Sequence, residues 1–395
     1  MSEPDRGRTT TFARLAPPDR SGRAMFMAST ALVAALMMVN ALLCNGLSLL
    51  GALVTAPFLS ALAAVTAGVC GLPYLAVILW VDRNEPEPPW LVVSALLWGA
   101  VTATGVSVLF NTMFGGLIGA AVGDPAVAHQ LTASFSAPLV EEISKGFALI
   151  VLYAFFRRDV DTVLDGIVYG ALIGLGFAVV ENWMYYVNTG SVAGVLMLTL
   201  VRGVITSVGT HMCFTAITGA SVGLFRVLRS GVLRWALPPL GLGLAMFVHF
   251  VWNTLAGVII GIVTDNEVLQ VLVGMPVAVV VLQLPFVLLV LVTAWMASRH
   301  ERRIIAAYLA DEEAPVLREG ELAVMLPSRR RTLHLVSTFL TEGPGAWWRQ
   351  RGRFARLIRL AFEKWHMDRE AAHESVDVRE HAVRVRQLRR ELAEP

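Results

Sequence analysis

Cysteine and charged residues are both scarce in this chain. Of its 395 residues only three are cysteine, and only 16% are charged. Cys44, Cys70 and Cys213 lie in apolar segments without the spacing of a metal-ligand motif, so we expect no disulfide framework and interpret them as small apolar residues. Hydrophobic residues make up 56% of the chain, and its mean hydropathy is +0.63. No soluble domain could bury so many apolar runs, which indicates an integral membrane protein.

Two common hydrolase signatures give no support for a familiar peptidase site. The chain has no HExxH, the helical histidine pair of many zinc peptidases. GxSxG occurs once, at residues 219–223, but inside an apolar predicted span and not at the strand-to-helix turn that exposes a serine nucleophile. Ser144 lies in an apolar segment but has no obvious base at a suitable spacing. No serine or cysteine therefore stands out as a nucleophile.

Long apolar runs divide residues 25–297 into predicted membrane-spanning helices. Each run is near the roughly 20 residues that cross the hydrocarbon core. The eight predicted spans are 25–45, 58–81, 90–114, 135–156, 163–187, 203–225, 236–261 and 270–297. Residues 1–24 form a polar N-terminal extension. Because the run that follows lacks a convincing cleavage site, we expect the first span to be retained. The predicted fold class is an all-α integral membrane protein.

Lysine and arginine are absent from three predicted loops, 115–134, 188–192 and 262–269. The intervening loops, the N-terminal extension and the segment after the eighth span all carry arginine. Cytoplasmic loops are the ones that retain positive charge. The alternation therefore predicts eight spans with both termini in the cytoplasm.

Residues 298–395 form an arginine-rich tail that we expect to be cytoplasmic and mostly helical. Within it, residues 347–362 alternate aromatic and aliphatic side chains with arginines at helical spacing. Two interpretations fit this pattern: a helix on the anionic inner leaflet of the membrane, or a helix packed on its own small domain. Acidic residues in the rest of the tail argue against nucleic-acid binding.

The fourth to seventh predicted spans contain seven polar residues that are candidates for one site. They are Glu141, Glu142, Lys145, Glu181, His211, His249 and Asn253. Charged groups within a membrane segment are costly and usually functional. At about 1.5 Å of rise per residue, these side chains lie roughly 10–18 Å from the outer ends of their helices. This shared depth predicts one polar cavity in the outer half of the bilayer.

Glycines surround this predicted cavity. They include Gly166, Gly170, Gly174, Gly176 and Gly219. Because glycine has no side chain, helices that carry it can approach closely. We therefore expect tight contacts between the helices that form the cavity.

Helical spacing and side-chain chemistry suggest hydrolysis. Glu141 shares a helix face with Lys145 at a spacing of four residues, as His249 does with Asn253. A glutamate in a dry pocket can act as a general base toward water, while asparagine and neutral histidine can stabilise an oxyanion. Glu141 is the expected base, with Glu142 either paired to Lys145 or sharing the proton.

A metal site is an open alternative, since mixed histidine and carboxylate ligation suits zinc. Its candidate ligands are Glu141, Glu142, Glu181, His211 and His249. The sequence does not decide between a water activated by metal and a water activated by glutamate alone.

Several short motifs resemble those of the PrsW family of intramembrane proteases. They are Glu141-Glu142-Ile143-Ser144-Lys145 (EExxK), Phe177-Ala178-Val179-Val180-Glu181-Asn182 (FxxxEN), Arg202 with His211, and His249-Phe250-Val251-Trp252-Asn253 (HxxxN). Residues 82–88 also look like that family's connection between spans, and the resemblance covers about 80–297. The related CAAX-protease and bacteriocin-processing superfamily has EExxxR and FxxxH motifs. Lys145 and Glu181 depart from those motifs and favour PrsW.

The resemblance implies a peptidase of the bacterial plasma membrane that cleaves a membrane-anchored protein near its extracytoplasmic face. An anti-sigma factor, cut at the first site of a regulated cascade, is the substrate class that it suggests. A proton-coupled transporter is the alternative, because membrane carboxylates and histidines also form proton relays. We see no internal repeat of the kind that carriers use. A membrane scaffold whose tail recruits partners is a third interpretation.

Overall fold

The computed structural model describes residues 20–157, 159–228, 231–371 and 378–394. The structure is 89% helical, and no strand occurs among the described residues. The all-α expectation is therefore confirmed. Most of the predicted N-terminal extension, residues 1–19, lies outside the described part of the chain.

Thirteen helices precede the tail in the described part of the chain. They are α1 (Arg20–Thr55), α2 (Pro57–Val81), α3 (Pro89–Leu97), α4 (Thr104–Val122), α5 (Pro125–Leu131), α6 (Ala137–Phe155), α7 (Val163–Asn188), α8 (Val192–Leu198), α9 (Ser207–Val227), α10 (Val232–Val263), α11 (Glu267–Leu269), α12 (Met275–Leu282) and α13 (Leu284–Leu309). Four π-helical segments join neighbouring helices: Trp98–Ala103, Thr132–Ser136, Thr199–Thr206 and Gln270–Gly274. The tail contributes α14 (Glu321–Met325), α15 (Ser328–Glu342), α16 (Pro344–Ala371) and α17 (Val378–Ala393).

Local sequence explains where several of these helices begin and end. The α4 helix ends at Gly123, whose φ of +72° is a left-handed conformation that suits glycine. Asp124 then caps α5, with Pro125 in the first turn where its missing N–H is no loss. The α7 helix begins with a capping box, in which the Thr162 side chain and the Asp165 carboxylate each accept a backbone N–H of the other residue.

The α7 helix lies at the centre of the membrane part. In its most apolar stretch 83% of the residues are buried, against 11% in α1 and 17% in α10. Exposed apolar surface on α1 and α10 suits contact with lipid, because intrahelical hydrogen bonds satisfy the backbone there. Residues on α7 that project toward its neighbours are therefore shielded from lipid.

Glycines bring α7 against α9 at backbone distance. A Cβ at Gly170 would lie 2.4 Å from a carbonyl oxygen of α9, and one at Gly174 would lie 2.3 Å from another. Gly166 and Gly219 face each other with even less room, and Gly176 is packed in the same way against α3. The predicted close approach of these helices is confirmed. Since backbone atoms cannot move aside easily, each of these positions requires glycine.

Six described helices are long and apolar enough to cross a membrane, and the bent pair formed by residues 267–282 and 284–309 raises this number to seven. The fourth predicted span is present as the 19-residue helix α6. Glu141, Glu142 and Lys145 give it more charge than an ordinary apolar span carries. The protein is thus a multi-pass membrane protein, and a total of eight spans stays a prediction.

The loop between α2 and α3 is a buried polar anchor and not merely a proline-rich connection. Asp82 accepts the backbone N–H of Glu87 at 2.9 Å, and Glu87 accepts the hydroxyl of Tyr169 on α7 at 2.6 Å. Burial raises the pKa of Asp82 to about 8 and that of Glu87 to about 11. Burial therefore favours the protonated form of both carboxyl groups.

The tail has its own hydrophobic core. Phe354, Leu357 and Phe362 of α16 are buried against the end of α13 and against α17. The apolar face of α16 is consequently occupied by protein. The structure therefore favours the second interpretation of residues 347–362, a helix packed on its own small domain. Trp348, at the start of the segment, is 67% exposed.

Polar side chains of α15 and α16 attach the tail to the loops of the membrane part. Arg331 on α15 donates to the carbonyl oxygen of Arg83 and to Asn84 Oδ1, both at 3.0 Å. His366 Nε2 on α16 lies 2.9 Å from Asp161 Oδ2, in the connection between α6 and α7. Burial, with repulsion from Arg83, lowers the pKa of Arg331 to about 10. The tail therefore rests on the ends of the helices that form the membrane core.

Candidate active site

Helix α6 supplies three charged residues to the centre of the membrane part. Glu141, Glu142 and Lys145 are all buried, and the side chain of Lys145 is 0% exposed. Lys145 Nζ donates to Glu142 Oε1 at 2.7 Å and lies 3.6 Å from Glu141 Oε2. The expected pairing of Glu142 with Lys145 is thus present in the structure. It is shorter than the contact between Glu141 and Lys145 across one helical turn.

His249 reaches the same two glutamates from α10. Its Nδ1 lies 3.0 Å from Glu142 Oε1, and its Nε2 lies 4.0 Å from Glu141 Oε2. The Phe214 ring of α9 stacks on the imidazole with centroids 4.7 Å apart. Packing and a hydrogen bond therefore fix the orientation of the ring.

A second chain of contacts runs from α7 through α9. His211 Nε2 lies 3.0 Å from Glu181 Oε2, and Arg202 Nη2 donates to the same oxygen at 2.7 Å. Arg202 Nε also donates to Asn182 Oδ1 at 3.0 Å. His211 Nδ1 is 3.2 Å from Lys145 Nζ, which joins this chain to the α6 residues. Arg202 therefore does more than anchor its helix at the membrane surface.

Asn253 is placed differently from the other six predicted residues. Its Nδ2 donates to the carbonyl oxygen of Ala133 at 2.8 Å, in the π-helical segment that precedes α6. The Asn253 carbonyl accepts the side-chain amide of Gln130 at 3.2 Å. Its contacts therefore position the entry to α6, one turn of α10 away from His249.

One polar residue that contacts Glu141, Asn111, was not predicted. Asn111 Nδ2 on α4 lies 3.4 Å from Glu141 Oε1, and its Oδ1 accepts the Ser136 hydroxyl at 2.8 Å. An asparagine in the otherwise apolar third predicted span was the sequence signal that could have identified it. Its distance of 30 residues from Glu141 hid the contact, because only the packing of α4 against α6 creates it.

The site holds three carboxyl groups and two cationic side chains. Glu141, Glu142 and Glu181 face Lys145 and Arg202, so one negative charge would remain with all three carboxyl groups ionised and both histidines neutral. Buried charge without a partner is expensive. The Oε2 atom of Glu141 is buried and accepts no hydrogen bond from the described residues. An additional cation beside Glu141 would therefore be electrostatically stabilised.

Glu141, His211 and His249 fit a metal ion. One ligand atom from each lies within 4.8 Å of the others, and all three residues are buried. Catalytic zinc typically uses three such ligands and keeps a fourth position open. Each histidine also has a carboxylate on one ring nitrogen, Glu142 for His249 and Glu181 for His211. Such carboxylate–histidine pairs leave the other ring nitrogen for a metal. In His249 this is Nε2, on the side of Glu141, and in His211 it is Nδ1, which lies 3.2 Å from Lys145 Nζ.

This all-helical membrane protein buries, at one place, the carboxylates and histidines that a membrane-embedded hydrolase requires. Residues 87–301 match the family described as "PrsW family intramembrane metalloprotease". "Protease PrsW" of Geobacillus kaustophilus (strain HTA426) is 31% identical over 195 residues, which cover 48% of this chain and 78% of that protein. "Protease PrsW" of Oceanobacillus iheyensis (strain DSM 14371 / CIP 107618 / JCM 11309 / KCTC 3954 / HTE831) is 26% identical over 172 residues, 41% of this chain and 69% of that protein. No solved structure matches significantly.

The chain belongs to the PrsW family of intramembrane proteases. The family expected from the four motifs is thereby confirmed, and with it a membrane peptidase. All of the site residues described above lie within the matched region.

Proposed function

We propose that this protein is an endopeptidase that cleaves a membrane-anchored protein near its extracytoplasmic face, with both of its own termini in the cytoplasm of a bacterial cell. An anti-sigma factor is the proposed substrate class. Family membership supports proteolysis over the transporter alternative. The observation that carries the catalytic assignment is the buried Oε2 of Glu141, which accepts no hydrogen bond from the residues that the structure describes and lies 4.0 Å from His249 Nε2.

Glu141, His211 and His249 are the proposed metal ligands. When bound, a metal such as zinc supplies an activated water and polarises the scissile carbonyl. Glu142 holds His249 through Nδ1 and pairs with Lys145, while Glu181 holds His211 through Nε2. Glu142 and Glu181 thus act on the site through the histidines that they orient.

The residues around Glu141 keep its carboxylate in place. Asn111 donates to Oε1, which leaves Oε2 to face the histidines. In the absence of metal the same Oε2 would be the atom that takes a proton from water, as a general base. Both mechanisms therefore require the carboxylate of Glu141, and they differ in whether activity needs metal.

Metal analysis combined with a cleavage assay tests this proposal. The full-length protein and its Glu141→Gln variant are purified and assayed on single-span membrane proteins, and bound zinc is measured in each. We expect stoichiometric zinc and cleavage in the wild type, with both reduced in the variant. Glu267→Gln on α11 is the matched control, because Glu267 is exposed and outside the site.

Two results would overturn parts of the proposal. Cleavage that resists chelators and needs no zinc, yet is lost in Glu141→Gln, would make the glutamate a base acting alone. Normal cleavage by the Glu141→Gln variant at normal expression would remove Glu141 from the mechanism altogether.

A further inference from the structure

An arginine-lined cavity lies at the tail end of α13, away from the active site. Its volume is about 480 Å³, and its lining residues are Arg299, Arg302, Arg303, Ala306 and Leu326. Arg302 and Arg303 follow Arg299 by three and four residues, so both lie on the same side of α13 as Arg299. Leu326, in the segment that follows α14, also lines the cavity.

No carboxylate neutralises these arginines within the described residues. Arg302 has only a long contact to the Ser328 hydroxyl, 3.5 Å, and Arg299 lies over the Trp295 ring at 4.0 Å. Glu301 is adjacent in sequence, but it is buried and accepts a hydrogen bond from Asn84. The cavity therefore presents positive charge that no acidic side chain in the described part of the chain pairs.

Exposed tryptophans place the cavity at the level of lipid headgroups. Trp295 is 54% exposed, and Trp80 at the end of α2 is 62% exposed with Arg83 stacked over it at 4.0 Å. Tryptophans of this kind gather at the membrane–water interface. Along α13, Arg299 lies about 6 Å and Arg302 about 10 Å beyond Trp295. A headgroup layer is roughly 5–8 Å deep in each leaflet.

We propose that this cavity binds the phosphate of an anionic phospholipid in the leaflet on the tail side of the membrane. Guanidinium groups match phosphate oxygens in charge and in geometry. Ala306 and Leu326 offer apolar surface beside the arginines, which suits the glycerol part of the lipid. The inference rests on the proposed topology, in which the tail is cytoplasmic and faces the anionic inner leaflet.

Binding at this position would act where the tail joins the membrane part. Arg302 contacts Ser328 at the start of α15, and Arg331 in the same helix holds the loop between α2 and α3. A bound phosphate would reduce the repulsion among Arg302, Arg331 and Arg83, which are close enough to perturb one another. The lipid would thereby stabilise the contact between tail and membrane part.

Native mass spectrometry of the full-length protein tests the proposal. Delipidated protein in detergent is titrated with dioleoylphosphatidylglycerol, with the phosphatidylcholine of the same chains, and with inorganic phosphate. We expect one phosphatidylglycerol to bind in preference to phosphatidylcholine. The triple variant Arg299→Gln, Arg302→Gln, Arg303→Gln should lose affinity by about fivefold per arginine, on the order of a hundredfold in total.

A second triple variant provides the control. Arg379, Arg386 and Arg390 are exposed arginines of α17, and their change to Gln removes the same charge from another surface. Equal affinity of the two triple variants for phosphatidylglycerol would overturn the proposal. So would equal binding of the two lipids by the wild type, which remains decisive if the first variant does not fold. Phosphate binding as tight as lipid binding would make the cavity a site for free anions instead. None of these readouts depends on proteolysis, so a failure of the lipid proposal can be distinguished from a failure of the proposed proteolytic function.

Discussion

Replacement of Lys145 by methionine should cost the protein much of its stability. The ammonium group lies 2.7 Å from Glu142 Oε1, and both side chains are 0% exposed. Removing one partner of a buried ion pair typically costs about 3–5 kcal/mol, because the other charge stays buried without compensation. His249 would be the principal partner left to Glu142. At about 2 °C per kcal/mol for a long chain, the melting temperature should fall by about 6–10 °C.

The double variant Lys145→Met, Glu142→Gln separates charge from packing. If the cost of the single change comes from an uncompensated carboxylate, neutralising that carboxylate should restore part of the lost stability. Neighbours in one network typically show interaction energies of about 0.5–3 kcal/mol. Thermal unfolding of the purified protein in one detergent measures all three variants against the wild type. A double variant that is as unstable as the sum of the two single changes would refute this reasoning.

Lys364→Met in the tail is the matched control. Lys364 also contacts two carboxylates, but Asp311 is 67% exposed and Glu312 keeps a second partner in Arg389. Water can therefore screen part of the charge that the substitution leaves behind. We expect a smaller loss of stability than at Lys145. An equal loss would mean that burial of the pair is not the cause.

Three further predictions follow from the packing and the charges. Gly170→Ala should destabilise the protein by about 1–3 kcal/mol in thermal unfolding, because the new Cβ meets the α9 backbone at 2.4 Å; Gly243→Ala, where nothing lies within 4 Å, is the control and should not. Burial lowers the pKa of His366, but Asp161 raises it more, so the net shift is upward. A raised folded-state pKa gives stability that is present below the unfolded pKa and lost as pH rises through the folded one. Proteolytic release of the tail should therefore increase between about pH 6 and pH 8, around the usual histidine range, and the increase should be absent in His366→Gln. Added zinc should raise the melting temperature of the wild type but not of His249→Ala; equal shifts would place the metal elsewhere.

The membrane core tolerates its charges because helix packing supplies partners for them. Glu142 accepts from Lys145 and lies against His249, while Glu181 is held by Arg202 and His211. Arg202, His211 and His249 lie on other helical segments than the glutamates that they contact. Lys145 lies on the same helix as Glu142. The arrangement explains how α6 can carry more charge than an ordinary span and still be buried.

Sequence reasoning reached different depths for different residues. The pairing of Glu142 with Lys145 was predictable, because residues three or four apart on a helix are neighbours whatever the fold. The same rule placed Asn253 on the face of His249, yet its side chain contacts the backbone before α6 instead. A helix face is wide enough to meet two neighbouring elements, and spacing alone cannot say which. Asn111 was missed because its contact with Glu141 spans 30 residues of sequence, and helical spacing relates only residues on one helix.

What the sequence determined by itself is the kind of protein and its membrane setting. Apolar runs of spanning length, arginine in alternate loops and the EExxK, FxxxEN and HxxxN motifs are local patterns, and each can be read without knowing the packing. The tertiary structure alone decided that Glu141, His211 and His249 meet within 4.8 Å and that α16 buries its apolar face in the tail. These outcomes depend on how helices cross. Crossing is set by side-chain and glycine contacts between distant segments, such as Gly166 against Gly219.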